Sequence, residues 1–264
     1  MQAKAVSPFR EVIGLGALQQ EYTYAPKGKW FNLIFGLVCL AAAPALVLLA
    51  ALLGYTAYNN SGLRRVDEAI IAPLVLAGVA FLIALVPLIS AWRHWKLAAA
   101  LYEHGIAYRQ RGPLQQFRWD EVEAVWQAVT KHYYNGVYTG TTHSYTVRTK
   151  NGQKVVFDDK LGKNVELLGR GLQQGSAELL LPRYWQALQQ GQKQTFGPLA
   201  LDRDKLYAGQ KELPWAEIKA IKIEQGIISV KKDKGWFNWA SATVPQVPNF
   251  FVFYELVGRF AKIE

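Results

Sequence analysis

Two short segments combine lysines with aromatic residues and suggest contact with an anionic surface. The first is Lys131-His132-Tyr133-Tyr134, and the second runs Lys-Lys-Asp-Lys-Gly-Trp from residue 231 to residue 236. Basic residues beside amphipathic rings suit the surface of an anionic membrane. The candidate contacts for lipid or for a protein partner are therefore Lys131, Tyr133, Lys231, Lys232, Lys234 and Trp236. The alternative is that both segments are solvated β-turns whose rings pack inward, with Trp236 and Trp239 as core and rim residues.

Histidine and cysteine chemistry has little support in the sequence. The histidines of the polar region, His104, His132 and His143, have no H-x-x-x-H spacing, and Asp158 and Asp159 are adjacent on a turn. The single cysteine, Cys39, excludes internal disulfides and cysteine-based zinc sites. We therefore predict no metal and no cofactor.

Glycine and tryptophan motifs favour structural roles. Gly169, Gly171 and Gly175 resemble a dinucleotide-binding fingerprint, but the spacing is wrong by one and the run lies within a helical pattern. Close helix packing is the better interpretation. Trp119 and Trp215 occur in matching sequence contexts, which favours a shared core position over a ligand-stacking platform. With no G-x-S-x-G motif in the chain either, we predict that the protein is not an enzyme.

Two long uncharged runs predict a membrane anchor, which would hold the two basic-aromatic segments close to a bilayer. Residues 30–63 and 69–92 carry no charge, although 19% of the whole chain is charged. They predict a transmembrane hairpin over residues 30–96, with spans at about 31–55 and 69–92, because each run can cross the ~30 Å hydrocarbon core. Neither span has an ionisable residue at its centre, which indicates an anchor rather than a transport pathway.

The distribution of basic residues predicts the orientation of this hairpin. Lys27, Lys29, Arg93 and Lys96 flank the outer ends of the spans, whereas the connecting turn has Arg64 and Arg65. The positive-inside rule then places both termini, including an N-terminal tail over residues 1–29, and the β domains in the cytoplasm of a bacterial cell. The net charge of +10 is dispersed and lacks a known motif, so we predict no nucleic-acid partner.

The remainder of the chain shows short β-type runs separated by turn signals. The sequence TVRTKNGQKVVF predicts a tight hairpin, and residues 135–142 suggest a longer, more mobile turn. Helical spacing follows over residues 164–181, and Pro182 predicts a break and a separate helix over residues 182–190. The chain ends in another helical pattern marked by Phe250, Phe253, Tyr254 and Val257.

An internal repeat divides this region. Residues 118–125, RWDEVEAV, match residues 214–221, PWAEIKAI, at a spacing of 96. The match predicts a tandem duplication, with a first domain at 97–192 that carries the extra helix 182–190 and a second at 193–264. The order of elements suggests that each copy is a split barrel or sandwich closed by a C-terminal helix.

These motifs carry a family resemblance. The entry W-[DA]-E-[VI] into a strand, followed by GIISVKK, WFNW and FFVFYEL in the second copy, resembles an uncharacterised bacterial membrane protein family, a domain of unknown function. The resemblance covers about residues 14–264. It implies a two-helix hairpin followed by tandem pleckstrin-homology-like (PH-like) domains in a mainly-β, α+β region, and it implies no activity.

Three functions remain open at this point. The first is a non-catalytic, membrane-anchored interaction or scaffold protein, an accessory subunit that binds a protein partner or itself through a sheet edge or loop. The second is a sensor of anionic lipid headgroups that uses the lysines named above. The third is a membrane-bound enzyme with an unrecognised site between the two β domains.

Overall fold

A computed structural model describes residues 9, 12–162 and 164–264. These residues form two compact units. One unit is Thr23–Leu97 with Gln110–Gly112, and the other is the rest of the described chain. Residues 1–8, 10 and 11 of the predicted N-terminal tail lie outside the described residues.

The first unit is a hairpin of two long helices. Helix α1 spans Pro26–Ser61, helix α2 spans Val66–His94, and one turn of 3-10 helix, Gly62–Arg65, joins them. Helix α2 has two acidic residues in its first turn and Arg93 and His94 in its last, so its charges complement the helix dipole. Both helices are long and apolar enough to cross a membrane.

A seam of small residues holds α1 and α2 together. A side chain at Gly36 would meet Leu88, and one at Gly54 would meet Ile70. Other small residues are buried at seven-residue spacing: Ala43 and Ala50 on α1, and Ala77, Ala84 and Ala91 on α2. Small side chains let helices approach closely. Gly78, in contrast, is exposed on α2.

The first repeat contains two antiparallel sheets and a helix. Its first sheet has the order β1-β2-β3-β4, and its second has the order β5-β6-β7. The strands are β1 (Leu18–Thr23), β2 (Ala98–Tyr102), β3 (Gly105–Arg109), β4 (Gln115–Arg118), β5 (Val122–Tyr134), β6 (Val137–Thr149) and β7 (Lys154–Asp158). Helix α3, Val165–Gln189, follows. Strand β1 lies in the segment predicted as an N-terminal tail, so the helical hairpin is inserted between the first two strands of this sheet.

The second repeat has the same order of elements. A four-stranded sheet, β11-β10-β9-β8, is followed by a three-stranded sheet, β12-β13-β14, and by helix α4 (Phe250–Val257). The strands are β8 (Gln194–Phe196), β9 (Leu199–Leu201), β10 (Lys205–Ala208), β11 (Lys211–Pro214), β12 (Ile218–Glu224), β13 (Ile227–Lys232) and β14 (Asn238–Thr243). The predicted C-terminal helix is confirmed, and Phe253 lies at the centre of this core.

The predicted break at Pro182 is wrong. Helix α3 is continuous through Pro182, so there is no separate helix over residues 182–190. Proline removes a helical hydrogen bond and costs about 3 kcal/mol within a helix. Packing on both sides offsets this cost, because Leu180 and Leu188 are buried in the core of the second repeat while Leu168 and Leu172 are buried earlier in the same helix. The helix thus joins the cores of the two repeats.

Matching tryptophans confirm the structural role predicted for them. Trp119 and Trp215 are both buried. Each begins one turn of 3-10 helix, directly after the last strand of the four-stranded sheet in its own repeat. Trp119 Nε1 donates to the carbonyl oxygen of Glu103, and Trp215 Nε1 donates to that of Asp202, each at 3.1 Å. The same side chain therefore closes the same corner in each repeat.

Candidate functional site

The long hairpin β5–β6 extends beyond the core of the first repeat. Its strands are 13 residues each and are joined only by Asn135 and Gly136, whose φ angles are 50° and 80°. Two successive positive φ angles define a type I′ turn, which Asn-Gly favours. The prediction of a longer, more mobile turn over 135–142 is therefore wrong, because the strands pair almost to the tip. The tight hairpin predicted around Asn151 and Gly152 is confirmed between β6 and β7.

Asn249 covers the inner part of the free edge of β5. The backbone N–H of Val125 donates to Asn249 Oδ1 at 2.9 Å, and the backbone N–H of Asn249 donates to the Val125 carbonyl oxygen at 2.8 Å. Asn249 Nδ2 also donates to the Glu123 carbonyl oxygen at 3.1 Å. Asn249 is buried and has a φ of 51°, which asparagine tolerates better than most residues. Asn249, which directly precedes α4, therefore forms the hydrogen bonds that a neighbouring strand would otherwise form with this part of β5.

Beyond Val125, the same edge has no backbone hydrogen-bond partner among the described residues. Strand β5 is at the edge of its sheet, and its pairing with β6 is regular from Ala124 to His132. Backbone groups on a paired strand alternate between facing the partner and facing away. Because the amide and carbonyl of Val125 face away from β6, those of Gln127, Val129 and Lys131 do so too. These residues present a row of main-chain donors and acceptors.

A groove of about 540 Å³ lies on the face of the hairpin next to this edge. Val129, about half exposed at 49%, and Phe251, at 45%, give the groove an apolar part. Its lining comes from β5, β6, α3 and α4: Gln127, Val129, Lys131, Tyr138, Thr141, His143, Tyr145, Glu166, Arg170, Gln173 and Phe251. We call this space, with the outward-facing backbone of 127–131, the β5 groove.

Most charges in the β5 groove are already paired. His143 Nδ1 lies 3.3 Å from an oxygen of Asp159, whose other oxygen accepts from the His143 amide at 2.8 Å. Arg170 forms an ion pair with Glu166 at 2.5 Å. Burial raises the pKa of the Tyr145 phenol, and the nearby negative charge of Glu166 raises it further. Within the described part of the chain no ion pair involves Lys131, so the groove has one unpaired positive charge.

A second exposed surface begins at the end of β13. We call residues 231–237, the last two residues of that strand and the five that follow it, the basic-aromatic loop. Trp236 is fully exposed and Phe237 is 88% exposed, whereas Trp239 packs against the core of the second repeat. Lys232 forms an ion pair with Glu217 at 2.8 Å, which holds the start of the loop. The interpretation of Trp236 as a core or rim residue is wrong, because residues 233–237 lie beyond the paired parts of β13 and β14.

The structure separates the six candidate contact residues into two groups. Lys131 lines the β5 groove, and Tyr133 is exposed near the tip of the same hairpin. Lys231, Lys232, Lys234 and Trp236 all belong to the basic-aromatic loop of the other repeat. Inward packing of the rings is excluded for Tyr133 and Trp236. Asn249 and Phe251 were missed, since their role depends on contacts between elements far apart in sequence.

The glycines of α3 confirm the close-packing interpretation. A side chain at Gly169 would meet the ring of Tyr145, one at Gly171 would meet Leu101, and one at Gly175 would meet the indole of Trp119. These glycines face the core of the first repeat and leave no room for a phosphate. Among the described residues, no group of three or more histidine, cysteine or acidic side chains is placed to hold a metal ion.

Fold and site together define an α+β protein with a two-helix apolar hairpin, a duplicated two-sheet module, an open sheet edge and a basic-aromatic loop. Residues 8–263 match the model of a family of unknown function, DUF6585, and the chain belongs to that family. No curated protein matches the chain.

Proposed function

We propose that this protein is a non-catalytic, membrane-anchored interaction protein of the bacterial cell membrane. Its two repeats act as tandem PH-like domains at the cytoplasmic face. The repeated arrangement of a four-stranded sheet, a three-stranded sheet and a closing helix supports the PH-like assignment. The β5 groove binds an extended segment of a protein partner, and the protein thereby acts as an accessory or scaffold subunit.

The surface of the helical hairpin supports the anchor. Large apolar side chains of α1 and α2 face outward along their lengths, among them Phe31, Leu52 and Val86. An exposed apolar surface that extends along two long helices is costly in water and is typical of contact with lipid or protein. Lys29 lies over the Trp95 ring at 3.4 Å at one end of the hairpin, where a charge and an amphipathic ring suit the headgroup region.

The open edge of β5 is the observation that carries the binding proposal. An extended peptide can add to a sheet edge, because main-chain hydrogen bonds give affinity and flanking pockets give specificity. Asn249 already uses Val125 in this way, which shows that the edge accepts such bonds. The outward-facing groups of Gln127, Val129 and Lys131 can accommodate a short strand directly beyond it.

The lining of the groove defines the chemistry of that strand. Alternate side chains of an added strand face the same side of the sheet. One apolar side chain would cover Val129 and Phe251, and an acidic side chain nearby would pair with Lys131. The partner is therefore a chain with an exposed, extended segment that combines apolar and acidic residues.

Photo-crosslinking from neighbouring positions of β6 tests this proposal. Thr141 is paired with Lys131 and lines the groove, whereas Thr142 is paired with Thr130 and points to the opposite face. We expect a photoreactive phenylalanine at position 141, introduced in cells, to give one dominant adduct of defined mass, and the same residue at 142 to give far less of it. Mass spectrometry distinguishes another protein from a second copy of this chain.

Equal crosslinking from positions 141 and 142, or none from 141 in the folded protein, would refute binding in the β5 groove. The anchor is tested separately on the same membranes. We expect the wild-type chain to resist extraction at alkaline pH and to require detergent, whereas release without detergent would refute membrane anchoring.

A further inference from the structure

We propose that the basic-aromatic loop is a second membrane contact, in which Trp236 and Phe237 insert into the interface of an anionic bilayer. This inference rests on the membrane anchoring proposed above. It assigns a lipid surface to a site in the second repeat, separate from the β5 groove of the first.

The exposure of the two rings is the first argument. Trp236 and Phe237 are adjacent in sequence and are almost completely accessible to solvent. Together they expose an apolar surface at a loop tip, while the neighbouring Trp239 packs against the core. Tryptophan is favoured at the headgroup level because its ring is amphipathic. An interfacial bilayer position removes this apolar surface from water without a protein pocket.

The anchoring of the loop at its base is the second argument. The Asp233 amide donates to the Glu217 carbonyl oxygen at 2.9 Å, and the Lys232 ammonium forms an ion pair with the Glu217 carboxylate. Strands β13 and β14 pair up to Lys231 and Asn238. The base of the loop is thus fixed to the second repeat, so that insertion of its tip would hold the whole repeat at the membrane.

Charge identifies the bilayer as anionic. Residues 231–234 contain three lysines and one aspartate, and Lys232 is already paired with Glu217. Among the described residues no ion pair involves Lys231 or Lys234, although Lys231 interacts electrostatically with Glu224 and Glu264, and Lys234 is exposed at the loop. Anionic lipids attract basic residues near a membrane surface, and this attraction falls off within a Debye length. The contact is therefore sensitive to lipid composition and to salt.

The first repeat provides an internal comparison. Its corresponding turn, between β6 and β7, consists of residues 150–153 with the sequence Lys-Asn-Gly-Gln and has no aromatic residue. The two repeats share their order of elements, yet only the second has exposed rings at this position. The turn at 150–153 is therefore a matched control site.

A label in the loop of the full-length protein tests the inference. The native cysteine is replaced by Cys39→Ala, and an environment-sensitive fluorophore is attached through Phe237→Cys, which retains Trp236. The control carries the same fluorophore through Lys150→Cys. Both proteins are reconstituted into nanodiscs of phosphatidylcholine alone or of phosphatidylcholine mixed with phosphatidylglycerol, and quenching by aqueous iodide and by a lipid-borne spin label is measured.

We expect the label at 237 to be protected from iodide and quenched by the spin-labelled lipid in anionic discs, with blue-shifted emission. The label at 150 stays accessible to iodide in both discs. Replacing Lys231 and Lys234 together by glutamine lowers the ratio of inserted to free loop by up to about thirtyfold, since each basic residue near an anionic surface contributes about 1 kcal/mol.

Iodide access at 237 equal to that at 150 would overturn the inference while the protein remains in the disc. Equal protection in neutral and anionic discs would overturn the role assigned to the lysines. Failure of the protein to enter the discs is a different result, because it refutes the anchor on which the inference rests.

Discussion

Asn249 shows how one residue can join two repeats. Its side chain and amide form three hydrogen bonds with Glu123 and Val125, more than 120 positions away in sequence. Its positive φ is an additional constraint, because residues with a Cβ and no local polar group are disfavoured there. Neither property has a signal in the sequence, where Asn249 follows a proline and precedes an apolar run.

Removing the Asn249 side chain destabilises the unit that contains the two repeats. We expect Asn249→Ala to lower the free energy of unfolding by about 2–4 kcal/mol, because it leaves the Val125 amide without its partner and adds backbone strain. Asn249→Gly loses the same side-chain hydrogen bonds, but glycine adopts a positive φ without strain. Its free energy of unfolding should therefore lie between those of the alanine variant and wild type. Chemical unfolding in detergent measures the order, and an alanine variant as stable as wild type would contradict this account.

Asp202 gives the second repeat a pH-dependent contribution to stability. Partial burial raises its pKa, but hydrogen bonds from the Tyr207 phenol at 2.6 Å and from two backbone amides lower it, and the net pKa lies below its ordinary value. The same bond raises the pKa of Tyr207 to about 12. A carboxylate whose pKa is depressed in the folded state stabilises that state above its unfolded pKa.

We therefore expect Asp202→Asn to lower stability by about 1–2 kcal/mol at neutral pH, since hydrogen bonds to a charged group are stronger than neutral ones. The difference from wild type persists down to about pH 4 and shrinks as the pH falls through the folded pKa of Asp202. Thermal unfolding at a series of pH values measures this difference. A constant difference across the acidic range would show that the charge of Asp202 has no role.

At the scale of elements, prediction succeeded where the signal is local. The Asn151-Gly152 hairpin, the C-terminal helix α4 and the two apolar helices all follow from short patterns. The prediction of a helix break at Pro182 failed because packing of α3 against the cores of both repeats outweighs the local cost of the proline. The tight turn at Asn135-Gly136 was missed because a second turn signal, Thr139-Gly140, follows closely and lies within β6, although Asn-Gly itself favours a type I′ turn.

Helix α3 depends on its glycines for close contact with the first repeat. Alanine in place of glycine within a helix normally stabilises it by about 1 kcal/mol. At Gly175 a Cβ would clash with the Trp119 indole. We expect Gly175→Ala to lower the free energy of unfolding by about 1–3 kcal/mol instead, because overpacking a core forces its side chains to shift.

The control for this prediction is Gly112→Ala, since a Cβ at Gly112 meets no neighbouring atom and its φ is not positive. That variant should leave the midpoint of thermal unfolding close to wild type. A stabilised Gly175→Ala protein would show that α3 has room at Trp119 and would remove the packing argument.

At the scale of the whole molecule, the duplication could be predicted from the sequence, but strand β1 and the β5 groove could not. The W-[DA]-E-[VI] match revealed the duplication because both copies retain the tryptophan corner. Strand β1 was not recognised, because the helical hairpin separates it from β2 and its six residues, LQQEYT, lack strong alternation. The β5 groove could not be predicted either, since its lining comes from four elements.

The orientation proposed for the chain rests on the basic residues that flank its helical hairpin. We expect a reporter fused after Glu264 to be active only in a cytoplasmic form, and one placed in the turn Gly62–Arg65 to be active only in a periplasmic form. The opposite pattern would place both repeats outside the cell, and the proposed cytoplasmic partner would then be wrong.

The central claim is that a partner adds a strand to β5, and one substitution tests it directly. Proline is tolerated on an edge strand where the amide faces away from the sheet, so Val129→Pro removes an outward N–H without breaking a bond to β6. Val129→Thr keeps that N–H and changes only the side chain. Each full-length protein is purified from native membranes in gentle detergent, and its companions are quantified by mass spectrometry.

We expect a near-stoichiometric companion to copurify with wild type and with Val129→Thr and to be lost with Val129→Pro, while thermal unfolding shows that all three proteins are folded. The same companion retained in full by folded Val129→Pro would contradict strand addition at β5.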